Sequence, residues 1–130
     1  MPEFSEKSKR ILATCHPKLI AVCNTAIMRF DFSVISGHRV EQEQNTAFRL
    51  GNSHLTFPHS KHNKEPSMAV DLAPYPIDWE DTGRFKLLAG YILGLSEALE
   101  IRLRWGGAWV EDFNMENQRL VDLGHFEIIE

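Results

Sequence analysis

Apolar positions recur along the chain first at helical spacing and later at strand spacing. From Pro17 onward, Leu19, Val22, Cys23, Ala26 and Ile27 fall three and four residues apart and form one apolar stripe. Ahead of this helix, Ser5 suits the N-cap of another through EKSKRILATC, and Pro17 suits the first turn of the second. FSVIS then alternates as a short strand, with Phe32, Val34 and Ser36 on one face and Gly37 ending it. VEQEQNTAFRL predicts a third helix, stopped by Gly51. A polar stretch over 52–64 leads into SMAVDLA, a strand ended by Pro74 and Pro76, and Asp78 or Asp81 caps the next helix. That long helix, over 83–99, turns Phe85, Leu88, Ile92, Leu95 and Leu99 inward. IRLRW, a Gly106-Gly107 turn and a strand around GHFEII complete the pattern. Helices lead, short strands come after them, and βαβ alternation is absent. The expectation is an α+β fold, a small antiparallel sheet with helices packed on one side. At 130 residues, with no repeat or linker, one domain is expected.

Charge and composition narrow the function classes. The formal net charge is −4 and no basic block occurs, which argues against a nucleic-acid partner. No run approaches the roughly 18 apolar residues of a membrane span, so no membrane insertion is expected. MPEFSEKSKR lacks the apolar core of a secretory signal. Cys15 and Cys23 share no short spacing with the histidines, and they read as small buried hydrophobes in a reducing compartment.

The polar stretch and the strand after it raise a chemical question, because Asp71 interrupts an apolar strand between Val70 and Leu72. Alternation places Asp71 with Ala69 and Ala73 on one face, and the two small alanines leave space around the carboxylate. In the last strand His125 shares a face with Glu127. If the two strands are neighbours, Asp71 and His125 sit side by side, and His62 can descend from the preceding loop. Two imidazoles and a carboxylate make a catalytic zinc set, with a fourth position left for water. Asp122, three residues before His125, is placed to act as a general base. Arg39, after the Gly37 turn, is a candidate to stabilise a developing oxyanion. His54 and His59 are possible substitutes for His62, His38 is a weaker one, and His16 is read only as a residue at a helix start.

The ordered elements SGHR, SKH, AVD and DLGH resemble the zinc peptidase family of D-alanyl-D-alanine carboxypeptidases and L-alanyl-D-glutamate endopeptidases, in particular short phage endolysins. The resemblance begins in FSEKSKRILATCHPKLIAVCNTAI and extends through RWGGAW to DLGHFEI. It implies a compact α+β fold of the kind also found in the signalling domain of hedgehog proteins. It implies His62, Asp71 and His125 as Zn2+ ligands, Asp122 as catalytic base and Arg39 as the group facing the carbonyl oxygen. Ser60, Trp105 and Trp109 match positions beside the site and along the substrate cleft. Two features depart from the pattern. Eight residues separate His62 from Asp71, more than in many members, and Ser67 stands where they have glycine. An appended wall-binding domain is not expected.

The function expected from this resemblance is hydrolysis of the L-alanyl-D-glutamate bond of the peptidoglycan stem peptide by a monomeric enzyme. It would be made in the cytoplasm of an infected host and reach the wall by holin-dependent release. A D,D-carboxypeptidase or D-alanyl-D-alanine dipeptidase would use the same ligands. An inactive zinc-binding module would need neither Asp122 nor Arg39, and an HNH-type nuclease would need a basic surface that the sequence lacks.

Overall fold

The computed structural model describes residues 1–108 and 122–130. Among these, helices α1 (Glu6–Leu12), α2 (Pro17–Ala26), α3 (Glu41–Arg49) and α4 (Thr82–Ala98) accompany strands β1 (Phe32–Ser36), β2 (Ala69–Pro74), β3 (Leu103–Trp105) and β4 (His125–Ile128). The strands form one antiparallel sheet in the order β1-β2-β4-β3. None of the described helices is long and apolar enough to cross a membrane.

Local chemistry fixes most boundaries. The Ser5 hydroxyl accepts the Ser8 amide at 3.1 Å, and Nδ1 of His16 accepts the Lys18 amide at 3.1 Å ahead of Pro17. His16 is therefore a helix cap. Val40 has no capping side chain, and the Glu43 carboxylate instead receives the Val40 amide at 3.1 Å. Of the two aspartates expected before α4, Asp81 is the cap and accepts the Arg84 amide. α4 ends at Ala98, so Leu99 falls outside it and is 42% exposed. Ala89 and Leu93 join Phe85, Leu88 and Ile92 in the buried face instead.

Period-2 alternation divides the sheet. Phe32, Val34, Val70, Leu72, Leu103, Trp105, Phe126 and Ile128 are buried in the core between the sheet and α4, and α2 packs against α4. Asp71 pairs with His125, and Ala69 with Glu127, on the other face. β1 lies at the sheet edge, and α1 packs against it with the Ser8 hydroxyl accepting the Val34 amide at 3.0 Å. A bulge between Val34 and Ser36 shifts the register so that Ser36, not Ile35, pairs with Asp71. Ser36 thus leaves the face of Phe32 and Val34, where simple alternation puts it, and stands beside the polar cluster.

Candidate metal centre

Three elements converge on Asp71. β2 and β4 are hydrogen-bonded neighbours, and their register sets the His125 Nδ1 atom 3.0 Å from Asp71 Oδ1. His62 arrives from a single 3₁₀ turn at 61–63 that Ser60 and Asn63 build together. The Ser60 hydroxyl accepts the His62 amide at 3.1 Å, and the Asn63 side-chain oxygen accepts the Ser60 amide at 3.0 Å. Backbone bonds from Arg39 N to His62 O and from Met68 N to Lys61 O dock the turn against both flanking segments. The His62 ring is 2% exposed, whereas His54 and His59 lie exposed in the preceding loop. Of these loop histidines, His62 is the one whose ring reaches Asp71 and His125.

His62, Asp71 and His125 each offer a ligand atom, all within 4.8 Å of one another, so the trio can hold a metal ion. Their hydrogen bonding suits that use. His62 Nδ1 donates to the Gly37 carbonyl at 2.7 Å, which makes Nε2 the nitrogen available to a metal. That Nε2 atom is buried and makes no hydrogen bond among the described residues, standing 3.3 Å from Asp71 Oδ1. His125 is held similarly at its outer nitrogen, with Nε2 2.9 Å from Glu127 Oε1 and Nδ1 toward Asp71. Outer carbonyl and carboxylate partners of this kind orient imidazole ligands around a metal. Arg39 fixes the remaining Asp71 oxygen, donating from Nη2 to Oδ2 at 2.9 Å, with further bonds to Ser36 Oγ and Gln44 Oε1. Arg39 therefore pairs inside the site rather than with Glu41 or Glu43 at the surface.

The charges respond to one another. Burial pushes the Asp71 carboxyl up, but the His62 and His125 rings outweigh it and hold it well below the carboxylate range. Burial disfavours a charged His125, yet hydrogen bonds to Asp71 and Glu127 raise the ring to about 9 without a metal. Glu127 is likewise opposed by burial but brought down to about 2 by His125 and Arg104. Its Oε2 atom meets Arg104 Nη2 at 2.6 Å and Lys61 Nζ at 3.5 Å. Lys61 also donates to the Ile128 carbonyl, tying the His62 turn to β4.

Asp122 opens the turn before β4 and keeps one side exposed. Its surroundings raise the carboxyl above its ordinary value, first through desolvation and then through the negative charge of Asp71. The turn is held by close backbone packing. The Asp122 amide donates to the Gly106 carbonyl at 3.0 Å, and a Cβ on Gly106 would lie 2.1 Å from the Asp122 carbonyl oxygen. A Cβ on Gly124 would lie 2.6 Å from the Leu72 carbonyl oxygen. Only glycine permits either approach.

The remaining expected site residues fall in different places. Ser60 is buried and its hydroxyl is committed to the His62 turn. Trp105 is 6% exposed in the core, and its indole N–H donates to the Leu123 carbonyl at 2.9 Å, bracing the turn after Asp122. Trp109 lies outside the described residues. Glu127 and Gln44 had no assigned role in the sequence. The His-x-Glu alternation in β4 was a readable sign of the first, whereas the polar helix around Gln44 offered no sign of the second.

The family model for phage L-alanyl-D-glutamate peptidases matches residues 2–129. Among solved structures, the crystal structure of the Serratia marcescens L-Ala D-Glu endopeptidase ChiX is similar, with a TM-score of 0.78 and 26% sequence identity. That alignment covers 98% of this chain and 90% of the Serratia chain. No curated protein matches the sequence.

Proposed function

Because the chain belongs to the phage L-alanyl-D-glutamate peptidase family, we propose that it is a zinc enzyme cutting the L-alanyl-D-glutamate amide of the peptidoglycan stem peptide. The observation that carries the metal assignment is the buried Nε2 of His62, without a hydrogen bond among the described residues and facing Asp71 and His125. Two imidazoles and one carboxylate, with both rings oriented by outer acceptors, are a donor set suited to zinc. Zinc held there lowers the pKa of water to about 7 and polarises the amide carbonyl.

The chain's own groups then have separate tasks. Asp122 takes the proton of the attacking water and returns it to the departing D-glutamate nitrogen. A carboxyl raised by desolvation and by Asp71 is better matched to that exchange than an ordinary aspartate. Arg39 holds Asp71 in place and sets a fixed positive charge beside the carbonyl oxygen as it becomes negative. Ser60 and Trp105 support the elements bearing His62 and Asp122. In this reading the chain is one catalytic domain and acts as a monomer. It forms in the host cytoplasm and meets the wall after holin-dependent release.

Mass spectrometry of purified peptidoglycan after incubation with the zinc-loaded protein tests the reading, with Asp122→Ala alongside. The expected products are released peptides beginning with D-glutamate and glycan strands that keep L-alanine. Asp122→Ala should slow cleavage by about 10²- to 10⁴-fold while zinc stays bound. Loss of a terminal D-alanine alone would make the protein a carboxypeptidase. Absence of cleavage by the zinc-loaded wild type would leave a binding module. Near-normal cleavage by Asp122→Ala would remove that residue from its role.

A further inference from the structure

Gln44 is the one buried residue of α3, all of which is described, and is 0% exposed. An amphipathic helix ordinarily buries apolar side chains, and an amide in that position is costly unless its hydrogen bonds are complete. Here they are. Nε2 donates to Ser53 Oγ at 2.9 Å and to the Leu55 carbonyl at 2.6 Å. Oε1 accepts from Arg39 Nη1 and from Asn63 Nδ2, each at 3.3 Å. With acceptors on one side and donors on the other, the amide has one orientation that satisfies all four bonds.

The two donors to Oε1 belong to the metal centre's supports. Arg39 grips Asp71 through its other terminal nitrogen. Asn63 closes the His62 turn through its bond with the Ser60 amide, and its Nδ2 also donates to the Arg39 carbonyl. One buried oxygen atom thus links the guanidinium that fixes Asp71 to the turn that delivers His62. Packing alone would be met by Leu or Met, so the amide marks a demand for direction.

We infer that Gln44 is a positioning residue that locks the Arg39 guanidinium and the His62 turn into mutual register. Its catalytic consequence rests on the peptidase reading, but its effect on Arg39 does not. The discriminating pair is Gln44→Met, which keeps bulk and loses every bond, and Ser53→Ala, which removes one acceptor of Nε2 and leaves both bonds to Oε1 in place. Gln44→Met should lower kcat about 10- to 100-fold with little change in KM. In the metal-free protein it should also speed solvent exchange of the Arg39 Nε–H, followed by NMR, by about tenfold. Ser53→Ala should stay within about threefold of wild type in both measurements.

Wild-type kcat and wild-type exchange in folded Gln44→Met would reduce Gln44 to a packing residue and overturn the inference. So would a folded Ser53→Ala as impaired as Gln44→Met. If Gln44→Met does not fold, Gln44→Ala, whose space water can enter, is read in the same two measurements: a tenfold change in each supports the lock, and wild-type values defeat it. If the wild type does not cleave stem peptides, the peptidase reading fails, and the exchange measurement still decides the role of Gln44.

Discussion

Replacing Glu127 by Gln tests whether the outer partner of a ligand sets the strength of the metal site. The substitution keeps shape and removes charge from a buried side chain that meets His125 at 2.9 Å, Arg104 at 2.6 Å and Lys61 at 3.5 Å. Glu127 is held at about 2 against an ordinary 4.5, so it is ionised at neutral pH. A depressed carboxyl stabilises the fold above its unfolded value and loses that contribution as pH falls through about 2. That difference has a ceiling of about 3 kcal/mol at roughly 1.4 kcal/mol per unit. Arg104, with a side chain 36% exposed, is partly screened by water, so about half of the ceiling is the working figure for stability. The effect on the metal is separate. Losing the carboxylate behind a ligating imidazole costs about 10- to 100-fold in affinity, or about 1.4–2.7 kcal/mol. Competition against a chromophoric chelator at pH 7.5 measures the zinc affinity directly, and thermal melts of the metal-free protein report the fold. A folded Glu127→Gln protein with affinity within about twofold of wild type would refute the argument that Glu127 orients His125 for metal.

The same geometry sets two further outcomes. In the metal-free protein His125 is raised to about 9 from 6.5, so its stabilising contribution is full below about pH 6.5 and is lost as pH rises through about 9. The urea midpoint of the metal-free protein should decline across that window, and zinc affinity should rise over it because binding displaces the ring proton; a flat affinity profile would count against His125 as a ligand. Gly106→Ala places a methyl group 2.1 Å from the Asp122 carbonyl oxygen and should force that turn outward. Overpacking of this kind costs about 1–3 kcal/mol, read from the melting curve, and kcat should fall at least about tenfold. Unchanged kcat would mean that the position of the Asp122 turn does not matter to the reaction.

Strand alternation alone put Asp71 between two alanines and His125 beside Glu127, and the pairing of β2 with β4 supplied the adjacency that this required. Periodicity also found the buried stripe of α2 and most of α4. It failed at Ser36 because a bulge is one extra residue, and no single residue type announces it. It failed at Leu99 because the helix stopped one residue earlier and let the side chain turn outward. The choice of His62 over His54 and His59 depended on a 3₁₀ turn whose Ser-x-x-Asn bonds become recognisable only with the turn's direction known. Trp105 shares strand parity with buried Leu103, so its inward orientation was readable, although the resemblance drew attention toward the cleft. Gln44 was opaque for a different reason. Its partners come from 39, 53, 55 and 63, and no local pattern in α3 encodes that meeting.

The strand order has a consequence for the newly made chain. Among the described strands β4 comes last along the sequence, yet it sits inside the sheet between β2 and β3. Asp71 and His125 are 54 residues apart, so their meeting waits for that late insertion. A nascent chain that has emerged only as far as α4 holds His62 and Asp71 but lacks both His125 and Asp122. It has two of the three proposed metal donors and lacks the proposed proton acceptor. The proposed centre is therefore complete only once β4 has paired with β2.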